Sequence, residues 1–341
     1  MSQSMLEDIA SPQTYTDPAV LHERYARLRQ SAPVSWCEHP AYRPFWALVS
    51  HQDISEVSKQ NELFINAPRL TLVPKAIEDY LASTGRGRDG SVRTIIDMDE
   101  PDHRDYRKVT QSWFLGQGVA KFEGRVQAMA KRSVSRMAEL GSDCDFAVDI
   151  ANWFPLYVIM GILGLPEEDA PFILRCTQAM LAASDPELQR DQQAFGTAEF
   201  EQLFAYLGTI VEKRRREPTD DLGSVIANGL VKGQAMGMLE TLSYLMLTST
   251  AGHETTSSAI SGGLLALIEN PATERATRND PSLWETGADE IVRWVSPVRH
   301  FMRTAVRDCS VGGQAIKAGD SLALFYLSAN RDETVFENPF E

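Results

Sequence analysis

Cysteine is scarce here: four in 341 residues, at Cys37, Cys144, Cys176 and Cys309. None form a C-x-x-C pair, which argues against a zinc ribbon or a dithiol redox motif. So sparse a set fits a reducing cytoplasm better than a disulfide scaffold. Positive charge is also in deficit. Lys and Arg number 33 against 47 Asp and Glu, a net charge of −14. That excludes the broad basic surface that non-specific nucleic-acid binding needs. The opening, MSQSMLEDIASPQTYTD, lacks both a basic start and an apolar stretch, so it does not read as a secretory signal. The most apolar run, 238–268, contains Glu240, His253, Glu254 and many hydroxyl residues. Charges at a bilayer centre are costly, so the run is expected to be a buried helix and not a membrane span. No nucleic acid or membrane partner is therefore expected, and a cytoplasmic location is.

Familiar catalytic motifs are missing or incomplete. There is no Walker A sequence and no G-x-S-x-G elbow. Residues 85–90, GRGRDG, match G-x-G-x-x-G, but a polar segment precedes them where a strand is required, so a loop is expected. His253-Glu254 opens like the zinc-protease H-E-x-x-H, but Ser257 stands where the second histidine belongs.

What is present reads as a soluble globular chain: 43% apolar, 23% charged, and long enough for a large core. Helical spacing covers 18–31, and FWALVS (45–50) suggests a strand. A short helix is expected over 53–60, then a long irregular and functional loop over 66–98. Asp99-Glu100-Pro101 signals a helix start. Helical periodicity follows through 103–140, 151–165, 167–183 and 190–216. Lys213-Arg214-Arg215-Arg216 closes the last of these, where cations suit a helix C-terminus. Residues 236–269 form one helix about 50 Å long, closed by Asn270-Pro271. Another helix spans 282–295, and short strands are expected at 305–311, 314–316 and 321–326. The sum is a mostly α chain with a small β region, read as one domain over 1–341.

Four local patterns stand out. In Ala251-Gly252-His253-Glu254-Thr255-Thr256, Gly and β-branched Thr interrupt a helix centre. A Thr hydroxyl there can bond the carbonyl one turn back and open a groove, with an acid beside it to relay protons; a Thr-rich packing seam is the plain alternative. Glu290 and Arg293 share a helix face and can pair. His103 and Arg107 lie one turn apart and suit a carboxylate, unless they simply form a solvated face. The fourth pattern is Ala329-Asn330-Arg331-Asp332, followed by Val335, Phe336, Asn338 and Pro339.

In order and spacing these resemble the bacterial cytochrome P-450 family. They match its [AG]-G-x-[DE]-T-T, E-x-x-R, H-x-x-x-R and A-N-R-D-x-x-x-F-x-x-P motifs. The resemblance covers essentially the whole chain and looks closest to members that hydroxylate α-terpineol and its relatives. It implies the P-450 fold and a haem b cofactor held by His103, Arg107 and Arg303, with Ala251 and Gly252 beside it. Thr255 becomes the hydroxyl that steadies activated oxygen, Glu254 the acid that feeds protons, and Glu290–Arg293 a structural pair. Thr248, Val295 and Phe301 would line the pocket for a small apolar substrate. A monoterpene or alkyl-aromatic is the first expectation, a steroid or fatty acid the second. O2 would be the co-substrate. No flavin or nicotinamide fingerprint is present, so a ferredoxin and its reductase would supply electrons. Arg104, Arg107 and Lys108 are a candidate docking cluster for an acidic ferredoxin, with a plain solvated face as the alternative.

The family's F-x-x-G-x-x-x-C-x-G loop, with its axial cysteine, finds no match before Glu341. The chain is therefore expected to be a C-terminally truncated P-450, with no metal ligand among its residues and inactive alone. A non-catalytic remnant binding apolar molecules or haem is the alternative.

Overall fold

The structure, a computed structural model, describes residues 2–83, 93–181 and 197–341. The glycine-rich motif at 85–90 lies outside them. In chain order the helices are α1 Ser2–Ala10, α2 Pro18–Ser31, α3 His51–Ser58, α4 Lys75–Ser83, α5 Asp102–Thr110, α6 Gln117–Ala120, α7 Glu123–Leu140, α8 Trp153–Leu163, α9 Ala170–Leu181, α10 Thr197–Arg216, α11 Leu222–Ala227, α12 Met238–Glu269, α13 Pro271–Asn279, α14 Trp284–Val295 and α15 Tyr326–Ala329. The strands are β1 Val34–Cys37, β2 Phe45–Leu48, β3 Phe64–Ile65, β4 Leu230–Val231, β5 Gln234–Ala235, β6 His300–Ala305, β7 Cys309–Val311, β8 Gln314–Ile316 and β9 Ser321–Phe325. The mostly α chain with a small β region agrees with the expectation.

The chain forms two compact units. The first comprises Met1–His103 and Val298–Glu341. Its frame is a five-stranded mixed sheet in the order β1-β2-β9-β6-β3, with β2 and β9 parallel. Every residue of β9 is buried. A central strand covered on both faces reads as a continuous apolar run, and Leu322-Ala323-Leu324-Phe325 is one. Tyr25, Leu28, Phe45, Met302 and Phe325 pack on one side; Leu48, Val57, Phe64, Leu322 and Leu324 pack on the other.

The boundaries in this unit follow specific hydrogen bonds. Helix α3 starts at His51, two residues before the expected Asp53, because the Ser50 side chain accepts from Asp53 N. The expected strand 305–311 is two strands. Asp308 accepts from Ala318 N at 3.0 Å and from Lys317 Nζ at 2.8 Å, turning the chain there. The β6 strand begins five residues earlier, at His300, and β7 pairs only with β8. Residues 66–98 are not wholly irregular, since α4 lies within them. The loop before α4 is fastened instead of free: Asp99 accepts from Asn66 N at 2.6 Å and from Ala67 N at 3.1 Å, and Met302 N donates to Leu70 O at 2.7 Å.

The motif Ala329-Asn330-Arg331-Asp332 is a brace within this unit. Asp332 accepts from His51 N at 2.8 Å, satisfying a free donor of the first turn of α3. Burial alone would raise the Asp332 carboxyl, but the His51 and Thr334 donors hold it below its ordinary range. Next to it, Arg29 is buried and pairs with Glu333 at 2.7 Å.

The second unit is Arg104–Pro297, and its described elements are helices apart from the β4–β5 hairpin. Its longest element is the 32-residue α12, about 48 Å by helix rise. Two adjacent glycines bring α14 against it. A Cβ on Gly262 would stand 2.7 Å from Val295 Cγ2, and one on Gly263 would stand 2.8 Å from Ile291 Cγ2. Asn270-Pro271 ends α12 and also opens α13, with Pro271 at its first position. Two of the cations in the last turn of α10 also tie the helix to its neighbours. Arg214 Nη2 donates to Gly164 O at 2.7 Å and pairs with the buried Asp221 at 2.8 Å. Arg215 donates to the carbonyls of Ala227 at 2.9 Å and Met236 at 3.0 Å. Among the described residues no helix is long and apolar enough to cross a membrane.

Candidate active site

In the second unit the site begins with the face of α12 that carries Thr248, Ala251 and Thr255. Spacings of three and four residues stack them along one side of the helix. Ala251 is exposed, and Thr248 and Thr255 are half-buried. Both hydroxyls are turned onto their own helix. Thr248 Oγ1 donates to Tyr244 O at 2.8 Å, and Thr255 Oγ1 donates to Ala251 O at 2.8 Å. The expected back-bond is therefore present. It leaves the two lone pairs of the Thr255 hydroxyl free to accept.

A second face of the same helix carries Ser249, His253 and Ser257, all buried. Here α12 is clamped by Asn152, the residue that follows a π-helical turn at Ala147–Ala151. His253 Nε2 lies 2.8 Å from Asn152 O, and Ser257 Oγ donates to Asn152 Oδ1 at 2.9 Å. One asparagine thus holds two residues one turn apart. The motif glycine serves packing as well: a Cβ on Gly252 would meet Ile159 Cδ1 of α8 at 3.3 Å. Residue reasoning did not single out Asn152. Its only mark in the sequence is a polar residue set in the apolar stretch that becomes α8.

Glu254 stands at the junction of these faces. Its side chain is 28% exposed, and Oε1 lies 3.3 Å from Nδ1 of the fully buried His253. Burial holds the His253 imidazole below its ordinary range, partly offset by Glu254 and by Asn152 O. Among the described residues no cluster of three or more His, Cys, Asp or Glu side chains that could hold a metal ion occurs.

Helix α5 presents His103 and Arg107 one turn apart. His103 Nδ1 is 3.8 Å from Glu100 Oε1, and Arg107 is exposed. Toward the C-terminal end of α5, Tyr106 Oη donates to Glu240 Oε1 at 2.6 Å, and the Thr110 and Tyr244 hydroxyls meet at 2.7 Å. These bonds fix that end of α5 to the first turns of α12.

Other expected residues are placed differently. Glu290 and Arg293 form a two-bonded pair, Nε–Oε2 at 2.7 Å and Nη2–Oε1 at 2.6 Å. Val295 packs on Gly262. That is fourteen residues, about 21 Å along the axis, from Thr248, so the fold does not bring these two pocket candidates together. In the first unit, Phe301 sits edge-on to Tyr326 with centroids 6.2 Å apart. Arg303 is half-buried, and its Nη1 donates to Met302 O at 2.7 Å.

The cytochrome P450 family model matches residues 285–341. Cytochrome P450-terp of a Pseudomonas species is 35% identical over 340 residues, which span 97% of this chain and 79% of that protein. This chain belongs to the cytochrome P450 family. Linalool 8-monooxygenase of Pseudomonas putida is 32% identical over 331 residues, covering 97% of this chain and 81% of that one. The crystal structure of CYP108D1 from Novosphingobium aromaticivorans superposes with a TM-score of 0.91 at 33% identity, over 99% of this chain and 81% of that chain. The P450 fold is therefore shown. The protein is an oxidoreductase of the P450 monooxygenase class, which acts with O2, and the family's cofactor is haem b.

The residues present fit part of a haem site. In a chain with a 14-charge acidic excess, neither Arg107 nor Arg303 has a carboxylate partner among the described residues. Each unit thus keeps an arginine available for an anionic group such as a propionate. At three of the four cysteines burial disfavours a thiolate. Burial pushes Cys37 up to about 12 and raises Cys176 and Cys309 as well, so each is held as a thiol. Cys144 is exposed.

Proposed function

We propose that this P450 hydroxylates a small apolar substrate, a monoterpene or alkyl-aromatic, with electrons from a ferredoxin and its reductase in the cytoplasm. The observation that carries this reading is the Thr248–Ala251–Thr255 face of α12. It offers three methyls and two hydroxyls whose hydrogens are already donated to the helix backbone. Such a face suits an apolar ligand beside a small polar one. The terpene chemistry in the names of P450-terp and linalool 8-monooxygenase supports the substrate class, as does the pseudoionone bound to a Mycobacterium marinum P450 of 28% identity. Steroid C26-monooxygenases at about the same identity keep steroids as the second choice.

In this reading His103, Arg107 and Arg303 hold the haem propionates, and Ala251 and Gly252 flank the porphyrin. Residues 1–341 belong to one P450 domain. The haem, when bound, supplies O2 activation; the protein supplies position, an apolar surface and protons. Thr255 accepts a hydrogen bond with its free lone pairs while its own proton stays on Ala251 O. Glu254 lies one residue away and is partly open to water, so it can pass protons inward. Glu290–Arg293 acts structurally.

Docking of an acidic ferredoxin would rest on Arg104, Arg107 and Lys108, the last with its Nζ 3.1 Å from Asp105 Oδ1. Association should slow as salt rises, and a salt-independent rate would remove that surface. The central test is Thr255→Ala in the haem-loaded enzyme. Product formed per NADH should fall several-fold while NADH consumption continues. An unchanged ratio would remove Thr255 from its role.

A further inference from the structure

Two buried polar atoms face each other in the middle of α12 without any hydrogen-bond partner: Nδ1 of His253 and Oε1 of Glu254. The tautomer of His253 follows from its other nitrogen. Nε2 is 2.8 Å from a carbonyl oxygen, Asn152 O. A carbonyl only accepts, so Nε2 must carry hydrogen. Nδ1 then holds either a lone pair or a second proton. Glu254 Oε1 is 3.3 Å away. If both atoms were bare, two lone pairs would oppose each other out of reach of water, which is costly for buried polar atoms.

We propose that His253 and Glu254 form a dyad holding one exchangeable proton between Nδ1 and Oε1, resting on Oε1, as the proton store for the oxygen side of α12. The proposal rests on the role given to Glu254 above. His253 is a positioning residue in it, because it acts through Glu254.

Three observations agree. Burial is the main influence on His253, and it disfavours imidazolium; the proton is therefore pushed toward the carboxyl. Among the described residues Glu254 is the one charged group that acts on His253. Helix α8 brings only Tyr157 as a titratable side chain, and the π turn brings Asp149, whose Oδ2 is occupied by Asp145 N at 2.9 Å. Glu254 and the Asn152 carbonyl alone offset that burial. Finally, Glu254 spans the boundary: Oε1 is buried, while the side chain as a whole is 28% exposed.

The step is a proton transfer and nothing more. The Oε1–H bond breaks, and its electron pair stays on Oε1. The proton leaves through the exposed part of the carboxyl, and the dyad passes from neutral to a charge of −1. The bare carboxylate then opposes the Nδ1 lone pair, so recapture of a proton from water is favoured. His253 thereby resets the donor without itself meeting substrate.

The test is infrared difference spectroscopy at pH 7.5 on the wild-type protein and two variants. Wild type minus Glu254→Gln should show a carboxylic-acid C=O stretch that shifts in D2O. His253→Phe should move that band to higher frequency while leaving the far-UV circular dichroism of the helices in place, because a ring without nitrogen cannot accept from the acid. Absence of the acid band in wild type, or an unmoved band in His253→Phe, overturns the dyad. In the haem-loaded enzyme, Glu254→Gln reads the separate role of Glu254. Loss of product per NADH without an acid band means that Glu254 works but the dyad does not exist. An acid band with unchanged product per NADH means that the dyad exists but Glu254 is not the donor, so the proposed store also fails.

Discussion

Strand β9 of the first unit and the middle of α12 in the second use their side chains in opposite ways. In β9 every residue is buried, and the large rings and branched chains of Leu322, Leu324 and Phe325 fill both faces of the sheet. In α12 the sequence turns small and hydroxylated where burial ends. Gly262 and Gly263 admit α14, Gly252 meets α8, and the face with Ala251 stays open. Hydroxyls along this helix bond their own backbone, as at Thr241, Ser243, Thr248 and Thr255. The difference teaches where stability and function are kept. A filled core needs volume, whereas a binding face needs a surface that the fold does not itself consume.

Substitutions can break that contrast. The largest effect is expected in the sheet. Phe325 is fully buried, so Phe325→Ala should cost about 3–5 kcal/mol of unfolding free energy in denaturant titration. A loss below about 1 kcal/mol would mean that the β9 core is loosely packed.

Acid should act next, and again on the first unit. Burial and then Arg299 bring His300 down to about 4, and its Nε2 accepts from Leu72 N at 3.0 Å. The fold needs this ring neutral. Its contribution is intact above the unfolded pKa of about 6.5 and is lost as pH falls from there to about 4, since the unfolded chain binds the proton first. The loss approaches about 3 kcal/mol. His300→Gln keeps an acceptor and should flatten that slope in stability measured against pH.

The glycine seam of the second unit comes third. Gly263→Val forces carbon into Ile291 and should destabilise by about 1–3 kcal/mol. Ala251→Leu should be smallest for the fold, within about 0.5 kcal/mol. The same change should weaken binding of apolar ligands, read by substrate-induced spectral shifts in the haem-loaded enzyme. A large stability loss at Ala251 would show that this face belongs to the core after all.

Legibility followed the length of each signal. The α12 helix, expected at 236–269 and found at 238–269, rests on nine turns of pattern. The Glu290–Arg293 pair needs only one helix, so its spacing sufficed. Strand β1 was missed because VSWC is four residues long and is a strand only by virtue of its register with β2, Trp36 opposite Trp46. Helix α13 was missed because Asn270-Pro271 reads as a stop, although proline equally starts a helix. At the site, Thr255 and Glu254 were legible as a motif, but the partner that fixes their helix was not. Asn152 lies about a hundred residues earlier, marked only as a polar residue at the head of an apolar stretch.

The sequence by itself determined the periodicities, the caps and the motif spacings, because these are set by residues within a few positions of each other. From them came the fold class and the family. Tertiary structure alone decided which faces of α12 are filled and which are open. It also decided that Asp332 caps a helix almost three hundred residues away in the chain, and that His253 meets Glu254 beyond the reach of solvent. Burial is a property of what the rest of the chain places around a group, and no local pattern encodes it.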